Sequence, residues 1–155
     1  SKLAGTERGI IEPQATFSSC FGAPFLPLRP VVYADLLGEK LKRHKVRVFL
    51  LNTGWSGGPY GIGKRINLKY TRRMVTAILN GELDHVEYSP DPIFGLMVPR
   101  QCPDVPAEIL NPASTWKNGR LYEDQARELA RRFVKNFEKF SGVAETVRDA
   151  GPRVQ

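Results

Sequence analysis

Lys64 and Arg65 follow a loop that holds Gly54, Gly57, Gly58, Gly61 and Gly63. A basic pair beside glycine-rich backbone is chemistry suited to a phosphorylated ligand. Gly58, Gly63 and Lys64 satisfy the spacing G-x-x-x-x-G-K of a phosphate-binding loop. The next position of such a loop needs a Ser or Thr hydroxyl to ligate Mg²⁺. Arg65 stands there and cannot ligate a cation. The helix should also begin at that point, but its expected start is near Thr71. The loop is therefore not a true phosphate cradle. It is a flexible, donor-rich, positively charged loop that can contact a nucleotide.

The cations continue past the loop. Lys64, Arg65, Lys69, Arg72 and Arg73 fall within ten residues that hold no acid. Arg65 can stack on a purine, neutralise phosphate, or stand as a solvated loop cation. Thr71 can donate or accept a hydrogen bond, or serve as the N-cap of the following helix. Ile66 reads equally as a core residue. Other groups offer less. His44 lies in a basic cluster with no carboxylate to orient it. Asp84, His85 and Glu87 are spaced wrongly for a three-ligand metal site on either a strand or a helix. Ser18 and Ser19 lack a His and Asp pattern for nucleophilic chemistry. Cys20 and Cys102 show no metal or redox spacing and read as free thiols of a cytoplasmic protein.

The elements that must position these residues follow from periodicity. Val31 to Lys45 is expected as a helix, with Val32, Leu36, Leu37 and Leu41 on its buried face and Lys40, Lys42, Arg43 and Lys45 at its end. Arg47 to Leu51 is an apolar run expected as a buried strand, with Asn52 and Thr53 at its carboxyl end. Trp55 is expected to anchor the glycine loop. A second helix runs from Arg72 to Asn80, burying Met74, Val75, Ile78 and Leu79, with Gly81 as its cap. Residues 82–119 are expected as an extended segment and a connector broken by Pro103, Pro106 and Pro112, with a short strand near Phe94 to Val98. Residues 120–155 hold a long helix, Tyr122 to Phe140, with a stripe of Ala126, Leu129, Ala130, Phe133, Phe137 and Phe140. Glu123–Arg127 and Glu128–Arg132 sit on its other faces at i,i+4 spacing. A short helix within Val143 to Ala150 and a frayed tail follow. Residues 1–30 are irregular, with core packing expected for Phe17 to Phe25. Helix, strand, loop and helix over residues 31–81 give an α/β class: a mixed sheet with flanking helices.

Composition narrows the class. Hydrophobic residues at 41% and charged residues at 25% describe a globular chain and not a disordered one. No apolar run approaches the roughly 18 residues of a membrane helix, and no signal-peptide pattern is present, so no membrane partner is expected. The net charge of +7 suggests an anionic partner without choosing between nucleotide, nucleic acid and acidic lipid.

Several separated motifs share one resemblance. NTGWSGGPYGIGKRINLKYTR closely resembles the C-terminal part of ATP-dependent phosphoenolpyruvate carboxykinases. SKLAGTERG, FSSCFGAPFLPL, LNGEL, FGLMVP and ILNP resemble the same family, in the family's order. The resemblance covers nearly the whole chain. It implies the C-terminal part of a mononucleotide-binding carboxykinase domain, acting on ATP and oxaloacetate to give phosphoenolpyruvate, CO₂ and ADP in gluconeogenesis. It implies that Arg65 and Ile66 contact ATP on its adenine side and that Thr71 completes the pocket. It also implies that Gly5, Thr6, Glu7 and Arg8 belong to a mobile lid. A lid has a physical purpose here, because the enolate left by decarboxylation must be phosphorylated before water protonates it.

The resemblance also marks what this stretch does not supply. The family needs a true phosphate-loop Lys and Thr, Lys, His and Asp metal ligands, and an Arg for the substrate carboxylate. No matching motif occurs, so Mg²⁺ and Mn²⁺ are expected on an absent N-terminal portion, which is also the expected partner. Ser1 falls inside a family motif, so the chain is expected to be part of a longer enzyme and inactive alone. Two other readings compete: a basic nucleic-acid-binding module, and a scaffold fragment without a ligand. Against the first, the aromatic residues fall mainly on expected core stripes and not among the cations.

Overall fold

The computed structural model describes residues 8–18 and 22–154. Gly5, Thr6 and Glu7 of the expected lid, and Cys20, lie outside the described residues. The chain divides into two compact units. One comprises Ser1–Arg47 with Asn136–Glu145, the other Val48–Lys135 with Thr146–Gln155.

In the first unit, a 3₁₀ turn at Ala23–Phe25 precedes helix α1, Pro30–His44. Proline suits this start because the first helical N–H has no intrahelical partner. Lys42, Arg43 and His44 occupy the last turn, where cations complement the carbonyl end. The expected buried face does not form: no residue of α1 is buried, and Leu36 and Leu37 are among its exposed side chains. Helical spacing specifies a stripe but not the surface that covers it. The same holds for Phe25, expected in the core and found 85% exposed.

In the second unit the α/β class holds, with two small antiparallel sheets among helices. Strands β1, Trp55–Ser56, and β2, Lys64–Arg65, form one sheet. Strands β3, Tyr88–Pro90, and β4, Met97–Pro99, form the other, with Tyr88 opposite Pro99 and Pro90 opposite Met97. The strand expected at Arg47–Leu51 does not form; this segment is irregular, with Val48 and Leu50 exposed and Phe49 packed against the core. An apolar run becomes a strand only through a ladder with a neighbour, and that neighbour is not encoded in the run itself.

Helix α2 spans Leu68–Leu79 and starts earlier than expected. Its stripe is Tyr70, Met74, Ala77 and Ile78, spaced i, i+4, i+7, i+8. Ala77 is fully buried, while Val75 and Leu79, expected inside, are exposed. Ala77 packs with Leu83, Cys102 and Val105 to form the larger core cluster. Gly81, with φ of 71°, ends the helix: its N–H donates to Ile78 O and the Glu82 N–H donates to Ala77 O. That pair of bonds is the Schellman arrangement and satisfies two terminal carbonyls.

Arg73 fastens α2 to both neighbouring loops. Its Nε donates to Asp104 at 2.9 Å and its Nη1 to Glu82 at 3.3 Å. The hydrogen bond from Arg73, and then one from Asn80, hold the Glu82 carboxyl below its ordinary value of 4.5. A carboxylate depressed on folding contributes stability that is complete above its unfolded value and lost as pH falls through the lower folded value. Glu82→Gln is therefore expected to destabilise the chain at neutral pH and to flatten its stability profile below about pH 4.5. Urea midpoints measured from pH 3 to 7 would check this; parallel profiles for the two proteins would oppose it.

One-turn helices α3, Ala107–Leu110, and α4, Pro112–Thr115, interrupt the proline-bearing connector. Helix α5, Gly119–Phe137, is capped by Asn118, whose Oδ1 accepts from the N–H of Arg120. Its buried face centres on Ala126 and Ala130, with Tyr122 of the same helix beside them, against Ile93 and Phe94. Leu129 and Phe133 of the expected stripe are partly exposed. Small residues hold the centre because large neighbours fill the space above them. Glu123–Arg127 and Glu128–Arg132 pair as expected, at 2.6 and 3.0 Å. Helix α6, Glu145–Asp149, precedes the tail. The tail is not frayed throughout as expected: the Arg153 N–H donates to Ile93 O at 2.8 Å, tying it to the β3–β4 turn.

Candidate functional site

The glycine loop is a hairpin that brings its two ends together as β1 and β2. Trp55 lies opposite Arg65, and Ser56 opposite Lys64. Pro59 O accepts from both Ile62 N–H, at 3.1 Å, and Gly63 N–H, at 2.8 Å. Two amides that a phosphate cradle would aim at its ligand are thus turned onto the loop itself. A Cβ at Gly63 would collide with the backbone of Gly58 and stand 2.9 Å from Ser56 O. Glycine is required there by close approach alone. Trp55 meets Tyr60 edge-on, with centroids 5.5 Å apart, and so braces the loop as expected. Asn52 Oδ1 accepts from Gly54 N–H at 2.8 Å and shapes the entry.

Arg65, Ile66 and Thr71 lie on the short connection from β2 into α2. Arg65 is exposed, whereas Ile66 and Thr71 are half-buried. The Ile66 N–H donates to Gly54 O at 3.0 Å, which extends the hairpin by one bond and fixes the residue after Arg65. Asn67, and not Thr71, caps the helix: its Oδ1 accepts from Lys69 N–H at 3.0 Å. Thr71 sits inside the first turns of α2, and among the described residues its hydroxyl makes no hydrogen bond. The capping reading of Thr71 is thereby removed.

The charge around this connection is uncompensated. The first turn of α2 contains no acidic residue. Among the described residues no carboxylate pairs with Lys64, Arg65, Lys69 or Arg72. Lys69 instead places its ammonium 4.7 Å from the Tyr70 ring centroid. These cations add to the positive end of the helix dipole, an arrangement an anion relieves. Arg73, the fifth cation of the run, is occupied by Glu82 and Asp104. Arg8, of the expected lid, is exposed and belongs to the other unit.

Local sequence signals account for only part of this. Asn67 has the capping residue type directly before the helix and could be found from the sequence. Thr115 could not. Its Oγ1 accepts from the Gly57 N–H at 3.0 Å across 58 positions of sequence. Among the described residues no three His, Cys, Asp or Glu side chains group to hold a metal ion. Asp84, His85 and Glu87 form no such group, and Glu87 receives Arg100 at 3.3 Å. Burial pushes the Cys102 thiol up, away from reactive thiolate. No helix among the described residues is long and apolar enough to cross a membrane.

Comparison with known proteins places this geometry in a family context. The family profile described as phosphoenolpyruvate carboxykinase matches residues 1–108, which include Arg65, Ile66 and Thr71. The phosphoenolpyruvate carboxykinase (ATP) of Caldanaerobacter subterraneus subsp. tengcongensis is 65% identical over 153 residues, covering 99% of this chain and 29% of the relative. The protein of the same name from Alkaliphilus oremlandii is 59% identical over 155 residues, covering 100% of this chain and 30% of the relative. That from Thermus thermophilus is 56% identical over 156 residues, with the same coverages. The chain thus spans about 30% of the length of the relatives it matches.

Proposed function

This chain belongs to the phosphoenolpyruvate carboxykinase (ATP) family, and on that premise we propose that it supplies the adenine side of the ATP site in an enzyme converting oxaloacetate and ATP to phosphoenolpyruvate, CO₂ and ADP. One observation carries the reading. A hairpin presents Arg65, which has no carboxylate partner among the described residues, next to half-buried Ile66 and Thr71, whose hydroxyl makes no hydrogen bond among them. A guanidinium stacks on a purine or neutralises a phosphate oxygen, an aliphatic side chain packs against the base, and a hydroxyl donates or accepts at its edge. The positive end of α2, with Lys69 and Arg72, adds favourable potential for the phosphate chain. Near the site Trp55 meets Tyr60 edge-on and Lys69 sits over the Tyr70 ring, so these rings are engaged within the chain and do not form a shared stacking row.

The remaining machinery lies outside the described residues in this reading. ATP fits the donor set here; Mg²⁺ and Mn²⁺ do not, since no metal-holding group is present among the described residues. We assign the metals, the phosphate-loop Lys and Thr and the oxaloacetate contacts to the remainder of the carboxykinase chain. Residues 1–30 supply the lid through Gly5, Thr6, Glu7 and Arg8, while residues 31–81 supply the nucleotide contacts. Residues 82–119 and 120–155 back them as connector and C-terminal helices. A cytoplasmic, gluconeogenic enzyme is the setting, in keeping with a free Cys102 thiol. The purified 155-residue chain, assayed with ATP, Mg²⁺, Mn²⁺ and oxaloacetate, is expected to form no phosphoenolpyruvate. Turnover by that chain would overturn this division of labour.

A further inference from the structure

We propose that Thr115 is a positioning residue for the nucleotide contacts, holding the glycine hairpin so that Arg65 is presented at a fixed place. The inference rests on the nucleotide reading above and concerns a residue beyond the family match, which ends at 108. Thr115 closes helix α4, and its hydroxyl works in both directions. It donates to Pro112 O at 2.7 Å and accepts from the Gly57 N–H at 3.0 Å. The first bond orients the hydroxyl so that a lone pair faces Gly57. Gly57 is the residue immediately after β1, so fixing its N–H fixes the strand that carries Trp55. Trp55 is in turn the register partner of Arg65.

The contact is too close to be incidental. Gly57 has φ of 81°, and a Cβ there would lie 3.2 Å from Thr115 O. Backbone therefore meets backbone at this point, with the Thr115 hydroxyl as the link. Helix α4 is a firm anchor despite its length. Asn111 caps it at Ala113 N–H, and the Ser114 hydroxyl reaches Asn111 O at 2.7 Å and Glu108 O at 2.9 Å. Without the Thr115 hydroxyl, the Gly57 N–H loses a part-buried partner and the hairpin loses its side-chain link to α4. Chain mobility then spreads Arg65 over more positions, which weakens ATP binding without touching ATP.

The test uses the whole carboxykinase that carries this segment, with ATP affinity measured by titration calorimetry. Thr115→Val removes the acceptor at nearly constant volume and is expected to weaken ATP binding about fivefold. Thr115→Ala should do the same, which guards against misfolding of one variant. Thr115→Ser restores the hydroxyl and should bind ATP like the parent, and the KM for oxaloacetate should stay within about twofold in all three. Because Thr115 acts through the hairpin, adding Thr115→Val to Arg65→Ala should weaken binding less than about twofold further. Parent-like ATP affinity in both Thr115→Val and Thr115→Ala, while Arg65→Ala binds weakly, overturns the positioning role alone. Full additivity in the double variant also overturns it. Parent-like affinity in Arg65→Ala overturns the nucleotide reading itself.

Discussion

Replacing Arg65 with alanine in the whole carboxykinase weakens ATP binding by about tenfold to thirtyfold, the range of a lost guanidinium stack or phosphate contact. The effect is large because Arg65 has no carboxylate among the described residues to compete for it, so its interactions are left to the ligand. It is also selective. The KM for oxaloacetate should change far less, since the substrate contacts are assigned elsewhere in the chain. Arg65→Lys is expected to recover only part of the loss: an ammonium keeps the charge but not the planar stacking surface. ATP and oxaloacetate affinities measured on the two variants separate these outcomes. Equal losses for both ligands would indicate a general structural role.

Gly63→Ala is expected to be more damaging, although it adds a single methyl group. The new Cβ would collide with Gly58 backbone and crowd Ser56 O at 2.9 Å, neither of which is a flexible side-chain end. The hairpin must open, and the Ser56–Lys64 and Trp55–Arg65 pairs lose register. A stability loss of about 2 kcal/mol is expected, as for other overpacked sites that force backbone shifts. ATP binding should fall at least as far as in Arg65→Ala, because Arg65 and Ile66 are displaced together. A thermal melt and an ATP titration on the same preparation check both parts. A variant with parent-like stability and ATP affinity would show that the hairpin does not set the site.

What the sequence disclosed depended on how local the cause was. Glu123–Arg127, Glu128–Arg132 and the Gly81 cap follow from spacing along one helix, and each stands where spacing puts it. The α/β class was legible from the alternation of elements, and the family from motifs spread along the chain. The start of α2 was harder, since Asn67 and Thr71 are both capping residue types. The extended backbone at Asn67, with ψ of 132°, puts the cap there. The apolar run at 47–51 and the stripe on α1 failed for a different reason. Strand pairing and helix burial need a second surface, and neither Val48 and Leu50 nor Leu36 and Leu37 specifies one. Thr115 and the Arg73–Asp104 contact were illegible because their partners lie far along the sequence.

The rejected phosphate loop shows how geometry settles an ambiguous motif. Gly58, Gly63 and Lys64 have the spacing, but the Gly63 amide is committed to Pro59 and a strand intervenes before the helix. What remains is a hairpin, a basic pair and a helix start without acids.

The most direct measurement is photolabelling of the whole carboxykinase with 8-azido-ATP, followed by peptide mapping. Label is expected on the peptide that runs from β2 into α2, around Arg65 to Thr71, and excess ATP is expected to suppress it. Label confined to other parts of the chain, with none between Gly54 and Arg73, would contradict the assignment of the adenine site to this segment.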